Sequence, residues 1–469
     1  MNDHRTARLV EIEWPEFGTC PPPAKAPAQE YRERLDSILL EMNERNLSHL
    51  IVYGDREHFA NLYYLTGFDP RFEEAVLVVG RDTIPVILVG NECESYLNVS
   101  PLYKTEALRS ERYQTFSLLD QPRECSRPLK EIFMETGMNE NSRIGCVGWK
   151  YFSPLEFSDP LHAIDIPAYI ADLLRNIAGH ENVVNATDLF MHPGYGLRTI
   201  CSLHDIAYFE YTNILASEGM RKMLFGLNEG MLDFDVVRLA GYPGEPLGCH
   251  LVFTTEENRD WTLAGPVGAE LQKGGVMAAN ICYRGSNCCR AGWIARSASE
   301  LPQEAQDYVE RFVAPYFTTV NAWLRHLEIG AMGDELWKCV HDRLPNSDFG
   351  IYLNPGHLIH YDEWLSSPFY EGSELRLRSG MLIQLDIIPS SEKYFSTRVE
   401  DGFLLADGTL RSEIRDMFPG CYSRCQKRRE FMINHLGLEV PAEVLPLSNI
   451  PGIIPPFFLN PEKVLVMSS

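Results

Sequence analysis

The stretch LQKGGVMAANICYRGSNCCRAGWIARS (271–297) has the shape of a buried strand, a turn and a second strand. Asn280 stands inside the first arm and Ala291 inside the second. Outward from this hairpin, strands are expected at 249–255, 276–284, 381–388 and 397–405. Two long helices interleave with them. The first is predicted from about Leu203 to Leu227, with Gly230 as a breaker after it. The second lies near 303–327, where Ala305, Tyr308, Val309 and Phe312 share a face and Pro315 should bend the axis. Separated helices and antiparallel strands predict an α+β domain over 196–420.

Toward the N-terminus the pattern changes. Residues 1–27 read as an arm ending in the Pro-rich CPPPAKAPA, and 28–195 as an α/β domain. Its first helix starts near Gln29, with Leu35, Ile38, Leu39 and Met42 at helical spacing, and Asn46 can end it. HLIVYG (49–54), AVLVVG (75–80) and IPVILVG (84–90) read as strands. Residues 421–469 form a C-terminal extension with a charged helix and then NIPGIIPPFFLNP, too apolar for a free linker and expected to pack on the body.

Composition narrows the function classes. A chain of 469 residues implies about two to three domains. Its 45% hydrophobic and 23% charged residues describe a globular protein. The formal charge of −23 argues against nucleic acid or an anionic membrane as the main partner. No apolar run approaches the ~18 residues of a membrane span, and the N-terminus lacks a signal-peptide core. Twelve cysteines without zinc spacing, clustered only at Cys288–Cys289 and Cys421/Cys425, read as free thiols of a reducing cytoplasm.

Buried acids carry the chemical signal. MLIQLDII (381–388) holds Asp386 inside an apolar strand, and STRVEDGFLL (396–405) holds Glu400. The segment PSSEKYFST between them allows a hairpin that brings both carboxylates together. Ionised carboxylates are rarely buried unless paired or bound to a cation. The same spacing is also met by Asp386 pairing with a core arginine such as Arg398, or marking a strand edge. NPGHLIHYDEW (354–364) offers His357 and His360, with Tyr361, Asp362 and Glu363 expected on the loop surface. A histidine, an aspartate and a glutamate from three segments would suit one divalent metal ion.

Taken in order, these segments resemble the aminopeptidase P, prolidase and creatinase superfamily. The resemblance runs through EYRERLDSIL (30–39), NLYYLTGFD (61–69), LRTICSLHDIAYFEYT (197–212), GLNEGM (226–231) and LEIGAMGDEL (327–336). NPGH, SGMLIQLDIIP (379–389) and TRVEDGFLL (397–405) complete it. It implies a creatinase/prolidase-type α/β N-terminal domain, a pita-bread C-terminal domain and a homodimer. Metal-dependent members use two aspartates on one hairpin, a histidine and two glutamates. Position by position these fall on Asn280, Ala291, His357, Asp386 and Glu400. The family's further histidine falls near Leu263, and its KGD turn reads KGG. A bridged pair of divalent ions needs several negative ligands, so no metal cofactor is expected, apart from a possible single ion on His357, Asp386 and Glu400.

Creatinase also carries Asn and Ala at those two positions and hydrolyses a guanidino compound without metal. The resemblance therefore implies that Asp386 and Glu400 grip a cationic group while His357 moves a proton. The creatinase histidine and a creatinase glutamate fall on Leu263 and Trp293, which argues against creatine itself. His250 is a replacement base by position. Asn280, Trp293 (cavity wall or core), His360, Phe68 and Arg71 are the substrate-binding candidates, the last two by analogy with creatinase-like dimers. The expected function is metal-independent hydrolysis of a small guanidino, amidino or amide compound in the cytoplasm. The alternatives are a non-catalytic homologue that binds a peptide or metabolite, and a metal-dependent Xaa-Pro aminopeptidase or dipeptidase with a reduced site.

Overall fold

The strands His49–Gly54, Ala75–Gly80 and Val86–Val89 are buried along their whole length. Burial on both faces explains their continuous apolar sequence. They form the centre of a six-stranded sheet ordered Arg109–Arg112, Val86–Val89, Ala75–Gly80, His49–Gly54, Ile144–Val147, Val183–Asn185. His49–Gly54 runs antiparallel to Ala75–Gly80 and parallel to Ile144–Val147. Helix Ala28–Glu44 buries Leu35, Ile38 and Met42, and the chain leaves it through Asn46 at a left-handed φ of 57°. Ile51, Val76, Leu88, Phe133 and Leu174 meet in one core. This sheet belongs to the compact unit Lys25–Arg198 of the computed structural model, which describes residues 6–468.

A second compact unit combines residues up to Ala24 with the chain from Thr199 onward. Its seven-stranded antiparallel sheet runs His357–Leu358, Leu382–Asp386, Arg398–Leu405, Ser286–Trp293, Val276–Tyr283, Phe253–Thr255, and Val444–Pro446 also pairs with Arg398–Leu405. The hairpin at 276–293 turns through Arg284 and Gly285, whose φ is 73°. A Cβ on Gly285 would lie 1.9 Å from Phe209 Cδ1, so the turn needs glycine for its approach to helix Leu203–Gly226. That helix starts in a capping box between Ser202 and Asp205. Among the described residues no helix is long and apolar enough to cross a membrane.

Two expectations need correction. The predicted strand at 249–255 pairs only as Phe253–Thr255, because the Asn280 side chain takes the Val252 N–H that would otherwise extend the ladder. The predicted helix at 303–327 is regular only over Ala314–His326. It follows a π-type turn at Val309–Val313 and places Pro315 in its first turn. Proline has no N–H to donate, and the first turn is where none is required.

The C-terminal extension packs on this unit. Helix Pro419–Asn434 precedes Val444–Pro446, and Lys463–Met467 pairs with Ala7–Glu11. The NIPGII segment closes over a wholly buried ion pair, Arg290–Asp401, at 2.9 Å. Arg290 also donates to the Ile450 and Ile453 carbonyls, and Gly452 N–H donates to Asp401. A second buried cluster joins Glu210 to Arg424 at 2.6 Å and to Arg428 at 2.8 Å, while Arg428 also donates to Asn449. Asp401→Ala would strand a buried guanidinium, and we expect it to cost about 3–5 kcal/mol, read as a lowered urea midpoint. The double replacement Arg290→Met/Asp401→Leu is expected to recover part of that loss.

Candidate active site

Antiparallel register decides which side chains meet. Asn280 lies opposite Cys289, Cys289 opposite Glu400, and Glu400 opposite Asp386. Directly opposed residues share a sheet face, so these four form one row across four strands. In the adjacent row His357 lies opposite Gln384, and Gln384 opposite Gly402. Two rows therefore assemble a site from sequence positions more than a hundred residues apart. Donor atoms of His357, Asp386 and Glu400 all fall within 4.8 Å of one another, and all three residues are buried.

Hydrogen bonds hold part of this cluster. Asn287 donates its amide to Glu400 Oε1 at 3.0 Å and to Glu363 Oε1 at 3.4 Å. His357 Nε2 lies 3.1 Å from Glu363 Oε1 and 3.9 Å from Glu400 Oε1. The Trp364 ring stacks on His357 with centroids 4.2 Å apart. Gln384 donates to the Asn287 carbonyl at 3.0 Å. Among the described residues, Asp386 Oδ1, Asn287 Oδ1 and Gln384 Oε1 are buried without a hydrogen-bond partner. Arg398, partly buried beside the cluster, donates to Cys289 Sγ at 3.5 Å. A group of buried acceptors with unspent capacity is suited to a donor-rich or cationic guest.

The electrostatics follow from crowding three carboxylates around one imidazole. Burial, then the Asp386 charge, pushes the Glu400 carboxyl up to about 8. Burial likewise raises Asp386, against the opposing pull of His357 and Arg398. Burial works against a charged His357, yet Glu363 and Glu400 hold it well above its ordinary value. Burial also disfavours ionised Glu363, but His357 holds that carboxyl below its usual range. The site therefore pairs a cationic His357 with an anionic Glu363 and keeps a protonated carboxyl in reserve at Glu400.

Asn280 is buried in the Glu400 row, but its Oδ1 accepts from Val252 N–H at 2.5 Å and its Nδ2 lies 3.5 Å from Cys249 Sγ. His250 is exposed, with Nε2 2.8 Å from the Leu263 carbonyl. His360 is buried 3.6 Å from Asp205, at the start of helix Leu203–Gly226, against the Phe209 ring. Trp293 is buried edge-on to Tyr308, and its backbone bonds Pro456 and Phe458 of the extension. Phe68 is wholly buried against Tyr96, and Arg71, half exposed at φ 60°, lies 3.9 Å from Asp69; both belong to the unit Lys25–Arg198.

Two residues expected on the loop surface are not there. Tyr361 is 4% exposed and donates to Asp205 Oδ1 at 2.5 Å. Glu363 turns inward onto His357, with its side chain 21% exposed. Loop residues follow no period, so their direction left no trace in the sequence. Asn287 was also missed. Its signal was the tight turn at Arg284–Gly285, which fixes the register that carries Asn287 beside Glu400.

No family model and no curated protein matches the sequence. Solved structures do match in fold. The prolidase from Pyrococcus horikoshii is 13% identical with a TM-score of 0.61, covering 80% of this chain and 95% of that one. An Xaa-Pro dipeptidase from Bacillus anthracis is 10% identical with a TM-score of 0.60, covering 81% and 96%. The N-terminal domain of a FACT complex subunit from chickpea, Cicer arietinum, is 12% identical with a TM-score of 0.57, covering 81% and 94%. The chain thus has the mixed α/β, pita-bread architecture of the prolidase and Xaa-Pro peptidase structures, over about four-fifths of its length.

Proposed function

We propose that this chain hydrolyses a C–N bond in a small guanidino, amidino or amide compound without a resident two-metal centre. The observation that carries this reading is the buried cluster of His357, Asp386 and Glu400, in which Asp386 Oδ1 has no hydrogen-bond partner among the described residues. The two-metal centre that the fold family implies does not suit the donors present. Ala291 offers no ligand atom, and the residue directly opposite it is the cationic Arg398. The amide of Asn280 is neutral and already engaged by Val252 and Cys249. Two divalent ions bring about four positive charges, which this set does not balance.

A guanidinium or amidinium presents parallel N–H donors to carboxylates. Seated against Asp386 and Glu400, it supplies the positive charge that lets both ionise. A water attacking the central carbon gives its proton to one of these carboxylates. His357, kept cationic by Glu363, donates a proton to the departing nitrogen. The products are the hydrated carbon fragment and the free amine, so one water is consumed for each bond broken.

A second reading has its own support. The 4.8 Å spread of the three donors suits one divalent ion with open positions for water and substrate. Elemental analysis separates the two: stoichiometric manganese, cobalt or zinc in protein purified without chelator would overturn the metal-independent reading. The fold alone does not require hydrolysis, since it also occurs in a FACT complex subunit domain.

On a panel of guanidino, amidino and Xaa-Pro compounds, we expect His357→Ala, Asp386→Asn and Glu400→Gln each to lower turnover by ~100-fold or more. Unchanged turnover in all three would discard the cluster as the catalytic site. Binding without turnover by the wild type would instead identify a non-catalytic binder. In metal-free protein, affinity for a guanidinium ligand is expected to rise as pH passes about 8, where Glu400 ionises, and this dependence should vanish in Glu400→Gln.

Stability gives an independent reading. A carboxyl raised above its unfolded value favours the native state while protonated and loses that contribution as pH climbs toward the native value. Glu400→Gln has nothing to ionise. Its stability relative to wild type should therefore grow from pH 5 to pH 8 and level off above, by on the order of 4 kcal/mol. Urea titrations at several pH values measure it.

A further inference from the structure

In the unit Lys25–Arg198, strands His49–Gly54 and Ile144–Val147 lie parallel and adjacent, yet the chain leaves them in opposite directions. The first continues to Ala75–Gly80 on one side, and the second to Val183–Asn185 on the other. Sheets of this kind open a crevice outside the carboxyl ends of such strands, and ligands bind there. A cavity of ≈ 230 Å³ occupies this place. Tyr53, Asp55 and His58 line it from the first strand end, Trp149 from the second, and Asp165 and Ile166 from the segment that crosses over them.

The walls are of two kinds. His58 and Trp149 pack with ring centroids 4.8 Å apart, beside the Tyr53 ring and the Ile166 side chain. The polar groups are the Asp165 and Asp55 carboxylates, the His58 imidazole that pairs with Asp55, and the Tyr53 hydroxyl, which donates to Glu74. Asp165 Oδ2 accepts the Trp149 and Lys150 N–H groups at 3.0 and 2.7 Å, and among the described residues its Oδ1 accepts none. Asp55 Oδ1 accepts the Glu57 and His58 N–H groups, and its Oδ2 meets His58 Nδ1 at 3.2 Å. Among the described residues no lysine or arginine lines the cavity. At its rim the Lys150 ammonium rests 4.7 Å from the centre of the Trp149 ring, a cation on the indole face. Gly148 is required at the strand end, since a Cβ there would lie 1.7 Å from the Asp165 carbonyl oxygen.

We propose that this cavity is a binding site for a small primary ammonium compound with an apolar or aromatic body, on the order of ten non-hydrogen atoms. The body lies against Trp149, Tyr53 and Ile166, and the ammonium group donates to Asp165 Oδ1. Aromatic faces and the Asp165 carboxylate together attract organic cations, while the two cations beside them are already engaged, His58 by Asp55 and Lys150 on the Trp149 face, which leaves an anion of the same shape no free partner.

The test uses the full chain carrying Asp386→Asn/Glu400→Gln, which silences the cluster of the proposed hydrolytic site. Calorimetric titration with benzylamine and with tyramine is expected to show one-site binding with a Kd of about 1 mM or tighter. Benzyl alcohol and benzoate should not bind. Trp149→Ala, and separately Ile166→Lys, which brings an ammonium into the wall without touching either carboxylate, should each weaken benzylamine at least ~10-fold while thermal unfolding stays cooperative. No binding of either amine at tens of millimolar overturns the proposal, as does benzoate binding as well as benzylamine. Amine binding unaffected by both substitutions overturns it too. Any of these failures leaves the hydrolytic reading untouched, because the chain tested lacks that site.

Discussion

The pairing of Arg290 with Asp401 constrains everything around the candidate site. Adjacent residues on a strand point to opposite faces, so Asp401 and Glu400 cannot share an environment. Asp401 turns to the side where Arg290 and the Ile450–Ile453 backbone neutralise it. Glu400 must then face the other way, into the row with Cys289 and Asp386. A slip of one residue would exchange the two carboxylates and leave Arg290 unpaired in the core, so the ion pair enforces the register on which the site depends.

The C-terminal extension takes part in that constraint. Arg290 makes bonds to Ile450 and Ile453 that no residue of the central sheet supplies. Its guanidinium is therefore fully solvated by protein only when the NIPGII segment is in place. The residues that follow it account for Trp293, whose backbone bonds Pro456 and Phe458 and whose ring lies in the core with Tyr308. What looks in sequence like an appendage is the lid of the domain's interior.

Much of the architecture was legible because burial leaves periodic or continuous apolar patterns. The wholly buried runs at 49–54 and 75–80, the hairpin at 276–293 and the capped helix from Leu203 all carry such patterns. Asp386 and Glu400 stood out for the complementary reason: an acid in an apolar strand violates the pattern. The partners of those acids were illegible. Glu363 reaches His357 from an irregular loop, where no spacing predicts direction. Asn287 depends on register, and register depends on a two-residue turn and a buried ion pair from another strand. The shortened strand at Phe253–Thr255 failed for a similar reason, because one side chain, Asn280, displaced a backbone bond that local sequence favoured.

The relation between scaffold and chemistry follows from charge. On the proposed reading, the sheet brings together one histidine and two acids, His357, Asp386 and Glu400, but offers no charge where a second ion would need it, at Ala291 and Asn280. Arg398 stands opposite Ala291 and contributes a permanent positive charge of its own. What that reading leaves is an excess of buried carboxylate, proposed to be too small for two divalent ions and large enough for one organic cation. Such an excess is expensive to hold ionised inside the protein, which is why Glu400 retains its proton up to about 8. On that reading, a guest that brings compensating charge and hydrogen-bond donors recovers this cost, and the site selects for such a guest.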